Sequence, residues 1–247
     1  MKPRRVADLR FPTSLPSRLL ARAILALLIR SGGIICRVRY RAVDLSKLEQ
    51  VDQVILAANH YSLFDTVFIH TRLPASVRAR TATVGGLDYF RARPHHSWRE
   101  RTWRNMVIWF IRSSLNVALI DRVGGDYSEF DRLDELVKGG WNLLIFPEAT
   151  RSRSGKPGRF HLGAAELARR NDLPVLPVRI EGTQNILPPG VSWPVSGQSI
   201  IRFGEPFKSD EGETSGQMTQ RIVAAIRAIE IDMPESTSSS TPGVDAS

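Results

Sequence analysis

The sequence predicts an α/β fold: a single mixed, largely parallel sheet flanked by helices, preceded by an N-terminal amphipathic helix suited to a membrane interface. Three observations carry this. Short apolar runs such as Val54-Ile55-Leu56-Ala57-Ala58 and Val175-Leu176-Pro177-Val178 show no polar alternation, as strands covered on both faces do. Stretches with apolar residues every three or four positions separate those runs, so strands and helices alternate along the chain. Apolar residues make up 42% of a 247-residue chain, enough for a sizeable core, which excludes a disordered polypeptide.

In chain order, residues 19–36 read as a helix whose apolar run is broken by Arg22 and Arg30, and no stretch of 18 uncharged apolar residues occurs. The apolar core starts late and leads straight into Arg37-Val38-Arg39-Tyr40-Arg41, which reads as a retained segment rather than a cleaved leader. Lying flat on a bilayer would let the two arginines snorkel to headgroups while Leu and Ile enter the acyl boundary. Residues 36–43 alternate and read as an edge strand, and 53–58 as a buried one. Then follow a helix over 63–73, a strand over 80–84, a helix over 98–113, a strand over 117–121 and a helix over 127–138 stopped by Gly139-Gly140. Residues 141–146 form a strand that delivers Pro147-Glu148; 162–170 form a helix, 175–181 a strand and 199–203 a short last strand. Ile222, Val223, Ala225, Ile226 and Ile229 make a helical stripe over 218–231. Residues 234–247 are Ser, Thr, Pro and Gly with almost nothing apolar, and read as a disordered tail. The expected organisation is an anchor at 1–35, one main domain at 36–232 and a tail at 233–247.

The formal charge of +9 and pI near 10.4 come almost wholly from arginine, so an anionic partner is expected: an acidic membrane surface or nucleic acid. Residues 89–112 interleave Phe90, Trp98, Trp103, Trp109 and Phe110 with Arg91, Arg93, Arg99, Arg101, Arg104 and Arg112. Trp beside Arg suits a membrane interface, and the same interleaving would stack and neutralise single-stranded nucleic acid. Trp103, Val107, Phe110 and Ile111 also sit at helical spacing and fit a core. The lone Cys36 excludes a disulfide framework or a Cys-rich zinc site; with no His-Glu-x-x-His spacing, no metal is expected.

Asn59-His60-Tyr61-Ser62-Leu63-Phe64-Asp65, directly after the apolar run that ends at Ala58, puts a general base and an orienting carboxylate at a strand end. Three later segments give it weight: Asn116-Val117-Ala118-Leu119-Ile120-Asp121-Arg122, Phe146-Pro147-Glu148-Ala149-Thr150-Arg151-Ser152 and Leu173-Pro174-Val175-Leu176-Pro177-Val178. No Gly-x-Ser-x-Gly elbow occurs, and Gly155-Lys156 runs into Pro157 without the upstream glycine of a phosphate loop, so a serine hydrolase and a nucleotide hydrolase are disfavoured.

Those four blocks, in that order, resemble the glycerolipid acyltransferases, the family of glycerol-3-phosphate and lysophosphatidate acyltransferases. The resemblance runs from about residue 35 to about residue 208. It implies that His60 deprotonates an acceptor hydroxyl with Asp65 fixing its tautomer, and that Arg122, Glu148, Ala149, Thr150 and Arg151 form the acceptor site, the arginines offering planar forks to phosphate. Ala149 departs from the family's usual Gly, and bears on which acceptor fits. The implied reaction moves an acyl chain from acyl-CoA or acyl carrier protein to lysophosphatidic acid at the cytoplasmic face of a membrane, with no cofactor beyond the acyl donor. Glycerol-3-phosphate or another lysolipid, such as lyso-ornithine lipid, are alternative acceptors; an inactive relative that binds lipid or nucleic acid is the non-enzymatic alternative.

Overall fold

The computed structural model describes residues 14–35, 37–86, 98–120, 127–148, 160–186 and 195–232. Seven strands among the described residues form one sheet: β1 (Val38–Val43), β2 (Ile55–Ala58), β3 (Thr81–Gly86), β4 (Val117–Ile120), β5 (Asn142–Ile145), β6 (Val175–Glu181) and β7 (Gly197–Phe203), in the order β1-β7-β6-β2-β5-β3-β4. β2 to β6 run parallel; β1 and β7 pair parallel with each other, and β7 meets β6 antiparallel. The sheet is therefore mixed and largely parallel, and β1 is an edge, as expected.

Among the described residues eight α-helices accompany it: α1 (Leu15–Ile35), α2 (Leu63–Arg72), α3 (Ala75–Ala79), α4 (Trp98–Leu115), α5 (Tyr127–Lys138), α6 (Gly163–Arg170), α7 (Thr183–Ile186) and α8 (Ser215–Ala228). The pattern reading omitted α3, α7 and a 3-10 helix at Leu45–Gln50, because segments this short carry no readable period. The stop after α5 is a glycine C-cap: Gly140 has φ +80°, its N–H donates to the Val137 carbonyl, and the Trp141 N–H donates to the Leu136 carbonyl at 3.1 Å.

Why the buried strands lack alternation is visible in β2. Ile55 and Ala57 enter one cluster with Leu133 and Leu136 of α5, Leu167 of α6 and Ile222 of α8. Leu56 and Ala58 enter the other, with Phe68 and Ile69 of α2. Each face of the strand meets its own helical layer, so every position is apolar. Leu25 and Ile29 of α1 pack with Phe110, Ile111 and Leu115 in a third cluster. Trp103, placed by its spacing in a core, is instead 64% exposed. Arg22 also departs from expectation: it turns inward and donates to Asn116 Oδ1 at 3.3 Å. Cys36, residues 87–97 and the tail at 233–247 lie outside the described residues.

His70 of α2 is 1% exposed, and burial, with smaller contributions from Arg22 and Arg78, holds its pKa at about 3 against an ordinary 6.5. The unfolded chain takes up a proton below pH 6.5 that the folded chain refuses until about pH 3. Stability is therefore whole above pH 6.5 and falls as pH drops through that window, by about 3 kcal/mol between pH 7 and pH 4. Urea melts of His70→Phe should show a flatter acid limb than the wild type; identical limbs would refute the assignment.

Candidate active site

The connection leaving β2 passes through α2 on one face toward β3, and the connection leaving β5 passes through α6 on the other face toward β6. Such a reversal opens a crevice at the carboxyl ends of the parallel strands. His60 follows β2 there, and Glu148 follows β5.

His60 Nδ1 lies 2.8 Å from Asp65 Oδ2, with the His60 side chain 16% exposed and Asp65 fully buried. The local sequence produces this pair. Ser62 caps α2, and Asp65 at the third helical position reaches back to the cap in a capping box. Asp65 Oδ2 also accepts the Tyr61 N–H at 2.6 Å and the Ser62 N–H at 2.7 Å, while Oδ1 has no partner among the described residues. The carboxylate thus sits at a helix N-terminus, where backbone donors and the helix dipole favour negative charge. The His60 ring stacks on Phe146 with centroids 4.1 Å apart. With Nδ1 committed to Asp65 and the ring plane fixed by Phe146, Nε2 is left to take a proton.

Glu148 is 7% exposed, and its Oε2 has no partner among the described residues. Burial pushes its pKa up; His60 and Arg227 pull it back, and Asp65 pushes it further up. The third block therefore reaches the dyad although 88 residues separate His60 from Glu148. Beside it, the His161 N–H donates to the Pro147 carbonyl at 2.8 Å. Arg122, Ala149, Thr150, Arg151 and Arg159 lie outside the described residues. Among the described residues, no group of three or more His, Cys, Asp or Glu is placed to hold a metal ion.

Three neighbours have roles that only the structure shows. Asn59 is a latch: its Nδ2 donates to the Ile180 carbonyl and its Oδ1 accepts the Ile180 N–H, each at 2.8 Å. The side-chain amide continues the β2–β6 ladder one step past its backbone end, and so fixes where His60 emerges. Tyr61 sits close enough to the acids that burial, then Glu181 and Glu148, raise its pKa. Arg227, in the last turn of α8, brings positive charge to Glu148. Arg179 holds that turn in place, donating to the Arg227 carbonyl at 2.8 Å and the Ile229 carbonyl at 3.0 Å. Asn59 was legible as the first residue of its block; nothing in the sequence marks Arg227.

This arrangement supplies a base with an oriented proton-accepting nitrogen, beside a buried acid and an arginine, at the carboxyl end of a central strand. The family model described as Acyltransferase matches residues 39–181. A chloroplastic 1-acyl-sn-glycerol-3-phosphate acyltransferase of Brassica napus is 44% identical over 74 residues, 30% of this chain and 20% of that protein. A 1-acyl-sn-glycerol-3-phosphate acyltransferase of Cocos nucifera is 29% identical over 108 residues, 41% of this chain and 32% of that protein. The matches therefore span about a third or less of these curated relatives. The crystal structure of a 1-acyl-sn-glycerophosphate acyltransferase from Thermotoga maritima superposes with a TM-score of 0.63 at 20% identity, covering 90% of this chain and 84% of that one, a likeness of fold.

Proposed function

Because this chain belongs to the acyltransferase family, we propose that it transfers a fatty acyl group from acyl-CoA or acyl carrier protein to the free hydroxyl of lysophosphatidic acid, forming phosphatidic acid. The observation that carries this reading is the His60–Asp65 pair, 2.8 Å apart at the carboxyl end of the central strand β2. His60 Nε2 accepts the proton of the acceptor hydroxyl as its oxygen attacks the thioester carbonyl carbon. The new C–O bond forms, the tetrahedral intermediate collapses with cleavage of the C–S bond, and the imidazolium returns the proton to the departing thiolate. Asp65 stabilises the imidazolium and holds the tautomer. Glu148 accepts a hydrogen bond from a glycerol hydroxyl or holds Arg151, while Arg122 and Arg151 take the acceptor phosphate. The names of the two plant relatives favour lysophosphatidate over other acceptors.

The test uses purified, detergent-solubilised protein and labelled oleoyl-CoA or oleoyl carrier protein, with lysophosphatidate, glycerol-3-phosphate and lyso-ornithine lipid offered in parallel. Equimolar release of thiol and labelled phosphatidate is expected. Transfer to another of the three, with lysophosphatidate idle, would replace the acceptor, and no transfer from either donor would sink the catalytic reading.

The same reading has the enzyme work at the surface of an anionic membrane that holds its lipid substrate. Among the described residues no helix is long and apolar enough to cross a membrane. What supports peripheral contact is the large exposed apolar side chains of two packed helices, Leu19, Leu20, Leu27 and Leu28 of α1 and Trp98, Trp103 and Met106 of α4. Trp109 Nε1 of α4 donates to Ser17 Oγ of α1 at 3.1 Å and ties the pair. The Leu19→Glu/Leu27→Glu/Trp103→Glu variant should lose about tenfold of its flotation with phosphatidylglycerol vesicles at unchanged melting temperature. Undiminished flotation would remove this face from membrane binding.

A further inference from the structure

A second concentration of positive charge lies apart from the dyad. α1, the start of β1, the last turn of α2, α3 and Ser114 of α4 line an open groove of about 770 Å3, within the range of small-ligand sites. His60, Asp65 and Glu148 do not line it. Five arginines do: Arg22 and Arg30 from α1, Arg39 from β1, Arg72 from α2 and Arg78 from α3. Among the described residues no carboxylate pairs with any of the five, and α1 itself contains no acidic residue. Arg22 is held below the ordinary guanidinium range, first by burial and then by the neighbouring charges of Arg18 and Arg78.

His70 is the second, independent sign of a ligand. It lines the same cavity, is 1% exposed, and leaves Nε2 buried with no partner among the described residues. Its bond to the Thr81 backbone favours the protonated ring, so the ring donates there and the neutral Nε2 is an acceptor. A buried acceptor amid cations calls for a hydroxyl donor that belongs to an anion. Leu25, Ala26, Ile29 and Val38 supply an apolar wall. Cations, one hydroxyl acceptor and an apolar wall together match a phosphate headgroup that carries a hydroxyl and an alkyl chain.

We propose that this groove is a second lipid site that binds an anionic phospholipid, its phosphate held by Arg22, Arg39, Arg72 and Arg78, its headgroup hydroxyl donating to His70 Nε2, and its chain lying along Leu25 and Ile29. The bound lipid ties α1 to β1 and α2 through a shared counter-ion. The assignment stands independently of the acyl-transfer reading, since it shares no residue with the dyad.

The test is photo-crosslinking of the full-length, detergent-solubilised protein with a diazirine-bearing monoalkyl phosphate, mapped by peptide mass spectrometry. Label is expected on α1 between residues 25 and 29 or on β1 between 38 and 40. It should fall about tenfold in Arg22→Gln/Arg78→Gln. The Arg30→Gln/Arg39→Gln variant changes only exposed side chains, keeps the fold safe, and should lower it several-fold. Hexadecyl phosphate should displace the label at concentrations where inorganic phosphate does not. Equal displacement by inorganic phosphate would reduce the groove to a simple anion site and overturn the lipid assignment. Label elsewhere, or label indifferent to both arginine pairs, would overturn the site itself.

Discussion

His60→Ala should lower kcat by about 10²- to 10⁴-fold, the range that a positioned general base contributes, while the KM for the lysolipid changes little. The base acts on the hydroxyl proton only as the C–O bond forms, so its loss raises the barrier without weakening ground-state binding. The fold should survive. The imidazole makes one side-chain hydrogen bond, to Asp65, and one stacking contact, with Phe146; losing the stack costs about 1 kcal/mol. In a chain of this length that is a drop of about 2–4 °C in melting temperature. Product formation measured with saturating donor across an acceptor series separates the two parameters. A kcat within threefold of wild type would remove His60 from the chemistry, whatever the melting temperature does.

Asp65 divides into two substitutions, because one oxygen holds all three of its hydrogen bonds. Asp65→Ala strips the acceptor from His60 Nδ1 and from the Tyr61 and Ser62 N–H groups in a fully buried position. Two backbone donors are then orphaned, the Asp65 half of the α2 capping box is lost, and stability should fall by about 2–4 kcal/mol along with activity. Asp65→Asn can present its amide oxygen where Oδ2 stands and keep the three bonds. Its NH2 then takes the Oδ1 position, which has no partner among the described residues. What it cannot keep is the negative charge opposite the imidazolium. Asp65→Asn is therefore expected to fold and melt close to the wild type while kcat falls about 10²-fold or more. Denaturant melts beside rate measurements decide the matter: if Asp65→Asn is as active as the wild type, the carboxylate serves α2 alone and the dyad reading fails.

The contrast between these substitutions reflects how locally the dyad is built. Ser62, Asp65 and His60 fall within six residues, so once α2 starts at its cap the carboxylate must return to the strand end. The pair was legible as a base and a carboxylate just after a strand, while the capping box that builds it appears only in the structure. Glu148 was legible only as a member of a motif; its place beside His60 depends on β2 and β5 pairing with Leu56 opposite Leu144. Asn59 stands first in its block, yet the role of its amide appears only when Ile180, 121 residues away, lies next to it.

The sequence by itself determined the α/β class, the strands of the buried sheet, the helix stop at Gly140 and the pairing of His60 with Asp65, since each rests on periodicity or on contacts within a few residues. Tertiary structure alone decided that β7 inserts between β1 and β6, that Asn59 locks onto Ile180, that Arg227 approaches Glu148, and that Arg22 turns inward to share a cavity with His70. Those outcomes follow from strand order and helix packing, which join residues dozens to more than a hundred positions apart. A single sequence carries no periodic signal for such contacts, because their energy comes from groups that meet only once the sheet has closed.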